Sequence, residues 1–310
     1  MSNRFNNNRN LIIIGLRRSG TTAFWNSFRQ DKRFLCFNEP FNPQIIKLKD
    51  DKWPNKFHYK EFATLINADA CSFWKHYVPI FPCNEFQYGL SDKEKKYLLY
   101  LADKSERVCV DTTRCHFKIK DLYEIMPNSV LVHLYRPPSA FVSSIMIPSL
   151  SNLITENKLK KLYYLIRNKV INFGKKKNFW KRKDCSNAWS YDEIIGVPNY
   201  SIFYCHVKKH GYDPESIHIQ SAIEKLLLLW KICFQQVEQD GKKYFKEKYF
   251  SVNFHDFCKT PNSIMEKIYS SLNLPFDHLN FDWLRKPNLG YDINNPLWKL
   301  YKEKFSIPID

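Results

Sequence analysis

Leu11-Ile12-Ile13-Ile14 is a run of four apolar residues, three of them β-branched, closed by Gly15. A run this short suits a strand covered on both faces, as the strands of a parallel sheet are. Arg17-Arg18-Ser19-Gly20-Thr21-Thr22 follows, and then Ala23-Phe24-Trp25-Asn26-Ser27-Phe28, whose apolar residues recur at helical spacing. Strand, glycine-bounded loop and helix in that order restrict the chain to a few α/β architectures.

Further strands fit the same scheme. Phe34–Phe37 reads as the second and stops at Asn38-Glu39-Pro40, Val108–Val110 as the third, and Val130–Tyr135 as the fourth, ending at Arg136-Pro137-Pro138. Phe250–Phe254 reads as the last. Between them lie helices: one from the N-cap Ser91 to Leu101, with Glu94 in capping-box spacing, and one over Lys118–Met126. Ile223, Leu226, Leu227, Trp230, Cys233, Phe234 and Val237 form a core stripe, and Thr260-Pro261 reads as an N-cap with proline at the first helical position. From about Phe41 to Gly89 no clear period emerges, so this stretch reads as irregular connection with short helices. The expected fold is α/β, a central parallel β-sheet flanked by helices.

Gly15 to Thr22 fits the frame G-x-x-x-x-G, but Thr21 stands where a Walker A lysine would be. The loop amides and the helix N-terminus still suit a phosphate or sulfate, and Arg17 and Arg18 add positive charge. Triphosphate hydrolysis is disfavoured, because such enzymes keep the lysine and a strand-end aspartate for magnesium. Arg136 at the carboxyl edge of the fourth strand and Ser144, eight residues on, can grip a second phosphate; arginine's planar fork binds one through two parallel hydrogen bonds.

These stretches resemble the PAPS-dependent sulfotransferase family, which transfers sulfuryl groups from 3′-phosphoadenosine 5′-phosphosulfate (PAPS). Arg18-Ser19-Gly20-Thr21-Thr22 is similar to the family's 5′-phosphosulfate loop, Arg136 with Ser144 to its 3′-phosphate motif, and Tyr249–Pro275 to its C-terminal strand–helix unit. The resemblance implies a P-loop NTPase-like fold, a single domain over residues 1–310, and donor contacts from Arg17, Arg18, Ser19, Gly20, Thr21, Thr22, Arg136 and Ser144. It implies PAPS as donor, 3′-phosphoadenosine 5′-phosphate (PAP) as product, and no metal.

Glu39 is the expected base. It follows the second strand, so it faces the same edge as the phosphate loop, and glycan and tyrosine sulfotransferases are similar in keeping a glutamate there. The cytosolic small-phenol branch resembles the chain less, because Thr113 stands where that branch has a histidine. His116, three residues on, is the rival base, and the choice stays open. Asp111 occupies a place where a lysine is common, with Arg114 and Lys118 as candidates to replace its charge. Arg285 and Lys286 are loosely similar to a phosphate contact, which Pro287 interrupts.

Charge bears on the partner. The formal net charge is +17, while 44% hydrophobic and 16% aromatic residues exclude a disordered basic tail. Thr155–Asp184 holds eleven basic and two acidic residues, over half of that excess, within a basic insertion at about 151–218. Part of it, with Leu159, Leu162, Ile166 and Val170 on one face, reads as a basic amphipathic helix. The insertion points to the acceptor side: a hydroxyl-bearing carbohydrate or glycolipid, an anionic glycan or a lipid surface. Two other readings compete. A kinase-like phosphoryl transferase would bind ATP and magnesium. A single-stranded nucleic-acid binder is suggested by Phe179-Trp180 between lysine clusters, and is the less expected partner. Nine scattered cysteines without a C-x-x-C pair, and no apolar run of the ~18–20 residues that span a bilayer, lead to the expectation of a cytoplasmic protein with reduced thiols.

Overall fold

The computed structural model describes residues 10–49, 56–81, 84–146, 206–213, 222–277, 279–284 and 296–307. The basic segment Thr155–Asp184 with its expected helix, and Arg285 and Lys286, lie outside these residues.

Five parallel strands form one sheet in the order β2-β3-β1-β4-β5: β1 Leu11–Ile14, β2 Leu35–Asn38, β3 Val108–Thr112, β4 Val130–Tyr135 and β5 Tyr249–Asn253. β1 is central, its Ile13 opposite Asp111 of β3 and Val132 of β4. The chain leaves β1 toward one side of the sheet and later crosses to the other. The loop after β1 therefore sits at the switch point, where open α/β sheets bind ligands.

The four residues of β1 are fully buried because they alternate between two cores. Ile12 and Ile14 join Phe37, Phe62, Phe73, Tyr97 and Leu131 on one face. Leu11 and Ile13 join Phe24, Phe28, Val132, Phe257 and Tyr269 on the other. The helices supplying those faces include α1 Thr21–Phe28, α2 Lys60–His76, α3 Asp92–Ala102 and α4 Ile119–Ile125. Ser91 caps α3 in a complete capping box with Glu94.

Two expectations change. The stretch read as irregular contains α2, 17 residues long. Asp69 within it has φ −156° and ψ 83°, and its carboxylate accepts the Ser72 N–H at 2.9 Å. Asp69 thus caps a second helical half inside the first, which shifts the apolar phase between Phe62-Leu65-Ile66 and Phe73-Trp74 and hides the period. Thr260 precedes a helix as expected, but its hydroxyl makes no cap and donates to the Asp256 carbonyl at 3.2 Å.

Contacts divide the chain into two compact units, Met1–Tyr135 with Cys233–Lys286, and Arg136–Ile232 with Pro287–Asp310. The first holds the sheet with the helices α7 Phe254–Lys259 and α8 Pro261–Ser271. The second holds α5 Pro138–Met146 and the C-terminal helix α9 Pro296–Phe305. The division falls within the long helix α6 Ala222–Phe245, in which Leu226, Leu227, Trp230, Cys233 and Val237 of the expected stripe are buried. In the second unit Lys231 Nζ donates to the Phe305 carbonyl at 2.6 Å, tying α6 to α9.

Candidate active site

The loop from Gly15 to Gly20 is shaped by close approach and by left-handed backbone. A Cβ on Gly15 would lie 2.3 Å from the Leu134 carbonyl oxygen of β4, so only glycine lets the loop leave β1 there. Gly20, the N-cap of α1, has φ 96°, in the region that favours glycine. Arg18 adopts φ 74° without being glycine and is exposed. No side chain caps α1, and its first turn carries no acid. Its leading N–H groups therefore keep their partial positive charge for an anion. Ser19 and Thr21 are buried within the turn, whose closing bond runs from Ser19 N–H to Leu16 O at 3.0 Å.

Glu39 follows β2 with φ 50°, a second non-glycine residue in the left-handed region, where such backbone costs on the order of 1–3 kcal/mol and persists when its surroundings hold it. Here they do. Its N–H donates to the Asp111 carbonyl at 2.7 Å, and its Oε1 accepts the Thr113 N–H at 2.8 Å. Arg114 Nε lies 3.6 Å from Oε2. Thr113 thus supplies a backbone donor that aims Glu39.

The loop after β3 directs its charges inward. Arg114 Nη1 donates to the Ile80 carbonyl at 3.3 Å and to Glu85 Oε1. Arg17 Nη2 of the loop after β1 donates to that same oxygen. Lys118 Nζ donates to the carbonyls of Asn84, Glu85 and Gln87 at 3.0, 3.4 and 2.6 Å. Both cations proposed to compensate for Asp111 are thus committed to protein acceptors. Asp111 is fully buried with neither carboxylate oxygen hydrogen-bonded. Burial, and then the nearby charge of Glu39, raise its pKa well above the ordinary carboxylate range; the Thr21 hydroxyl opposes that shift without reaching bonding geometry. His116 is buried with Nε2 unpartnered, and burial beside Arg17 and Lys118 lowers its pKa to about 3.

Arg136 is the residue after β4, and Ser144 lies in α5; both belong to the second unit. The Arg136 carbonyl accepts Trp230 Nε1–H at 2.9 Å, and the Ser144 hydroxyl donates to the Phe141 carbonyl at 2.7 Å.

Glu85 escaped the sequence reading. It lies among Asn84, Phe86 and Gln87 with no period or motif, and its partners at positions 17 and 114 are distant in sequence. The one available signal was its charge in a stretch of aromatic residues. Among the described residues no group of three or more His, Cys, Asp or Glu is placed to hold a metal ion, and no helix is long and apolar enough to cross a membrane.

The family model described as "Sulfotransferase family" matches residues 10–166, just over half of the chain. No curated protein matches. Similar solved structures include sulfotransferase STF9 from Mycobacterium avium, 12% identical, covering 98% of this chain and 78% of that one at a TM-score of 0.42. A sulfotransferase from Alicyclobacillus acidocaldarius is 11% identical, with 96% and 91% covered and a TM-score of 0.42. The sulfotransferase domain of the Synechococcus PCC 7002 olefin synthase is 12% identical, with 98% and 85% covered and a TM-score of 0.41.

Proposed function

The chain belongs to the sulfotransferase family, and on that premise we propose that this enzyme moves a sulfuryl group from PAPS to a hydroxyl acceptor, a carbohydrate or glycolipid. The observation that carries the donor reading is the phosphate loop. An uncapped helix N-terminus, a left-handed Arg18 at its lip and no lysine at Thr21 suit an anion held by amides and guanidinium. Arg17, Arg18, Ser19, Gly20, Thr21 and Thr22 hold the 5′-phosphosulfate; Arg136 and Ser144 select the 3′-phosphate. To bond that phosphate, Ser144 turns its hydroxyl from Phe141.

When bound, the donor supplies the sulfuryl group and a phosphate that leaves with the electron pair of the broken S–O bond. Glu39 takes the acceptor's hydroxyl proton as the new O–S bond forms, and the Thr113 N–H fixes the direction of its carboxylate. Arg18 offsets the negative charge that grows on the departing oxygen. His116 is the weaker choice of base, since its ring nitrogen is sealed from solvent and titrates near 3. The kinase reading asks Asp111 to ligate magnesium, whereas its burial favours a neutral carboxyl. The basic insertion supports an anionic or lipid-borne acceptor.

Calorimetry with PAP against ADP tests the donor. PAP is expected to bind at least ~10-fold tighter, as a charge-assisted phosphate contact warrants, and Arg136→Ala to erase the difference. Equal binding of the two nucleotides by the unaltered enzyme overturns the reading.

A further inference from the structure

Arg17 and Arg114 come from different loops, after β1 and after β3, yet both guanidinium groups donate to one oxygen, Oε1 of Glu85. The side chains of Glu85 and Arg114 are 6% and 9% exposed, whereas Arg17 is 30% exposed. The two halves of this bridge therefore differ. The Arg114 half is sealed in protein and continues to Glu39 Oε2 at 3.6 Å, while the Arg17 half opens toward solvent at the phosphate loop. The segment bearing Glu85 is fixed independently of Arg17. Lys118 binds its carbonyls, Gly89 N–H donates to the Phe117 carbonyl at 3.1 Å, and Phe86 packs on Phe117 at 5.9 Å. A carboxylate held this way does not follow Arg17 if Arg17 turns to another anion.

Resting on the assignment of the phosphate loop to the donor, we infer that Glu85 is a positioning residue that competes with the 5′-phosphosulfate for Arg17 while retaining Arg114 and, through it, the seat of Glu39. Two consequences follow from the charges. Donor affinity is set partly by the energy of releasing Arg17 from Glu85, so weakening that pair strengthens donor binding. Glu85 also faces Arg17, Arg114, Glu39, Lys118 and the Cys233 thiol. Burial already raises its carboxyl above the ordinary range against the pull of the two arginines, and loss of Arg17 raises it further. Donor binding then takes up a proton at Glu85 and gains affinity as pH falls through its titration.

A double-mutant cycle in PAP affinity separates this from general electrostatics. Glu85→Gln keeps an acceptor for Arg114 and is expected to bind PAP about 3- to 10-fold tighter, while Arg17→Ala weakens binding and Arg17→Ala/Glu85→Gln shows no gain over Arg17→Ala. A gain of equal size in both backgrounds reports only the removal of a negative charge and overturns the competition. Unchanged or weaker binding by Glu85→Gln overturns it as well. Should the variant fail to fold, carboxyl 13C NMR of the unaltered enzyme decides. PAP is expected to raise the Glu85 titration midpoint, and an unmoved or lowered midpoint refutes the exchange. Failure of the donor reading looks different: PAP and ADP then bind the unaltered enzyme alike, whatever the cycle shows.

Discussion

Two loops leave adjacent strands of one sheet, and both are rich in cations. The loop after β1 carries Arg17 and Arg18 and presents an exposed guanidinium beside an uncapped helix. The loop after β3 carries Arg114, His116 and Lys118, all buried. There the lysine is committed to three carbonyls, the arginine to Glu85 and Ile80, and the histidine is kept neutral. The contrast teaches that cationic residues near a sheet edge divide by what their protons are already bonded to. The first loop leaves Arg18 exposed at the helix N-terminus and spends only Arg17, on Glu85; the second spends Arg114 and Lys118 on the wall that holds Glu39.

The largest effect expected from breaking this division lies at its hinge. Glu39→Gln should lower turnover by about 10²- to 10⁴-fold with PAP affinity intact, the span that general base catalysis supplies; normal turnover in that variant dismisses Glu39. Next come the two kinds of cation. Lys118→Ala leaves buried carbonyls without a donor and should cost about 3 kcal/mol in denaturant unfolding. Arg18→Ala should change stability by less than about 0.5 kcal/mol, since its side chain is exposed, while weakening PAP binding at least ~10-fold.

The buried histidines give a milder test. His116 and His133 both titrate near 3 in the folded chain, through burial, against 6.5 unfolded. Below pH 6.5 the unfolded state takes up protons that the folded state refuses. Stability is therefore fully present above that pH and falls by up to about 1.4 kcal/mol per pH unit for each histidine toward pH 3. Replacing either with Gln should shallow the acid limb of the unfolding curve.

The smallest effect concerns Asp111. Its pKa is raised in the folded state, so the unfolded chain releases a proton that the native one keeps, and stability drops as pH rises above the ordinary aspartate range. Asp111→Asn removes this difference and should raise the melting temperature at neutral pH by ~2–4 °C.

Where a feature depended on neighbours in sequence, it could be read in advance. The β-branched run of β1, the glycine frame of the loop after it, the capping box of α3 and the stripe of α6 are each local patterns. Helix α2 was hidden because Asp69 interrupts its period from inside. The anchoring of Glu39 by the Thr113 amide and the shared oxygen of Glu85 were hidden for another reason. They depend on positions 17, 39, 85 and 114 meeting, and no local pattern encodes a meeting across β1, β2 and β3. The burial of Arg114 and Lys118, candidates in sequence to replace the charge of a lysine at position 111, is hidden for the same reason: a sequence shows a cation but not its acceptors.

The central place of β1 also has a consequence for how the protein comes into being. Leu11–Ile14 pairs with β3 at residues 109–112 and with β4 at residues 130–133. A ribosome making ~5–20 residues per second needs roughly ten seconds to add the second neighbour after the first strand is complete. Until β3 is made this apolar, β-branched segment has neither partner, and until β4 follows it has at most one. Nascent chains stalled before β4 should therefore be a natural target for chaperones, and synthesis rate between β1 and β4 a determinant of yield.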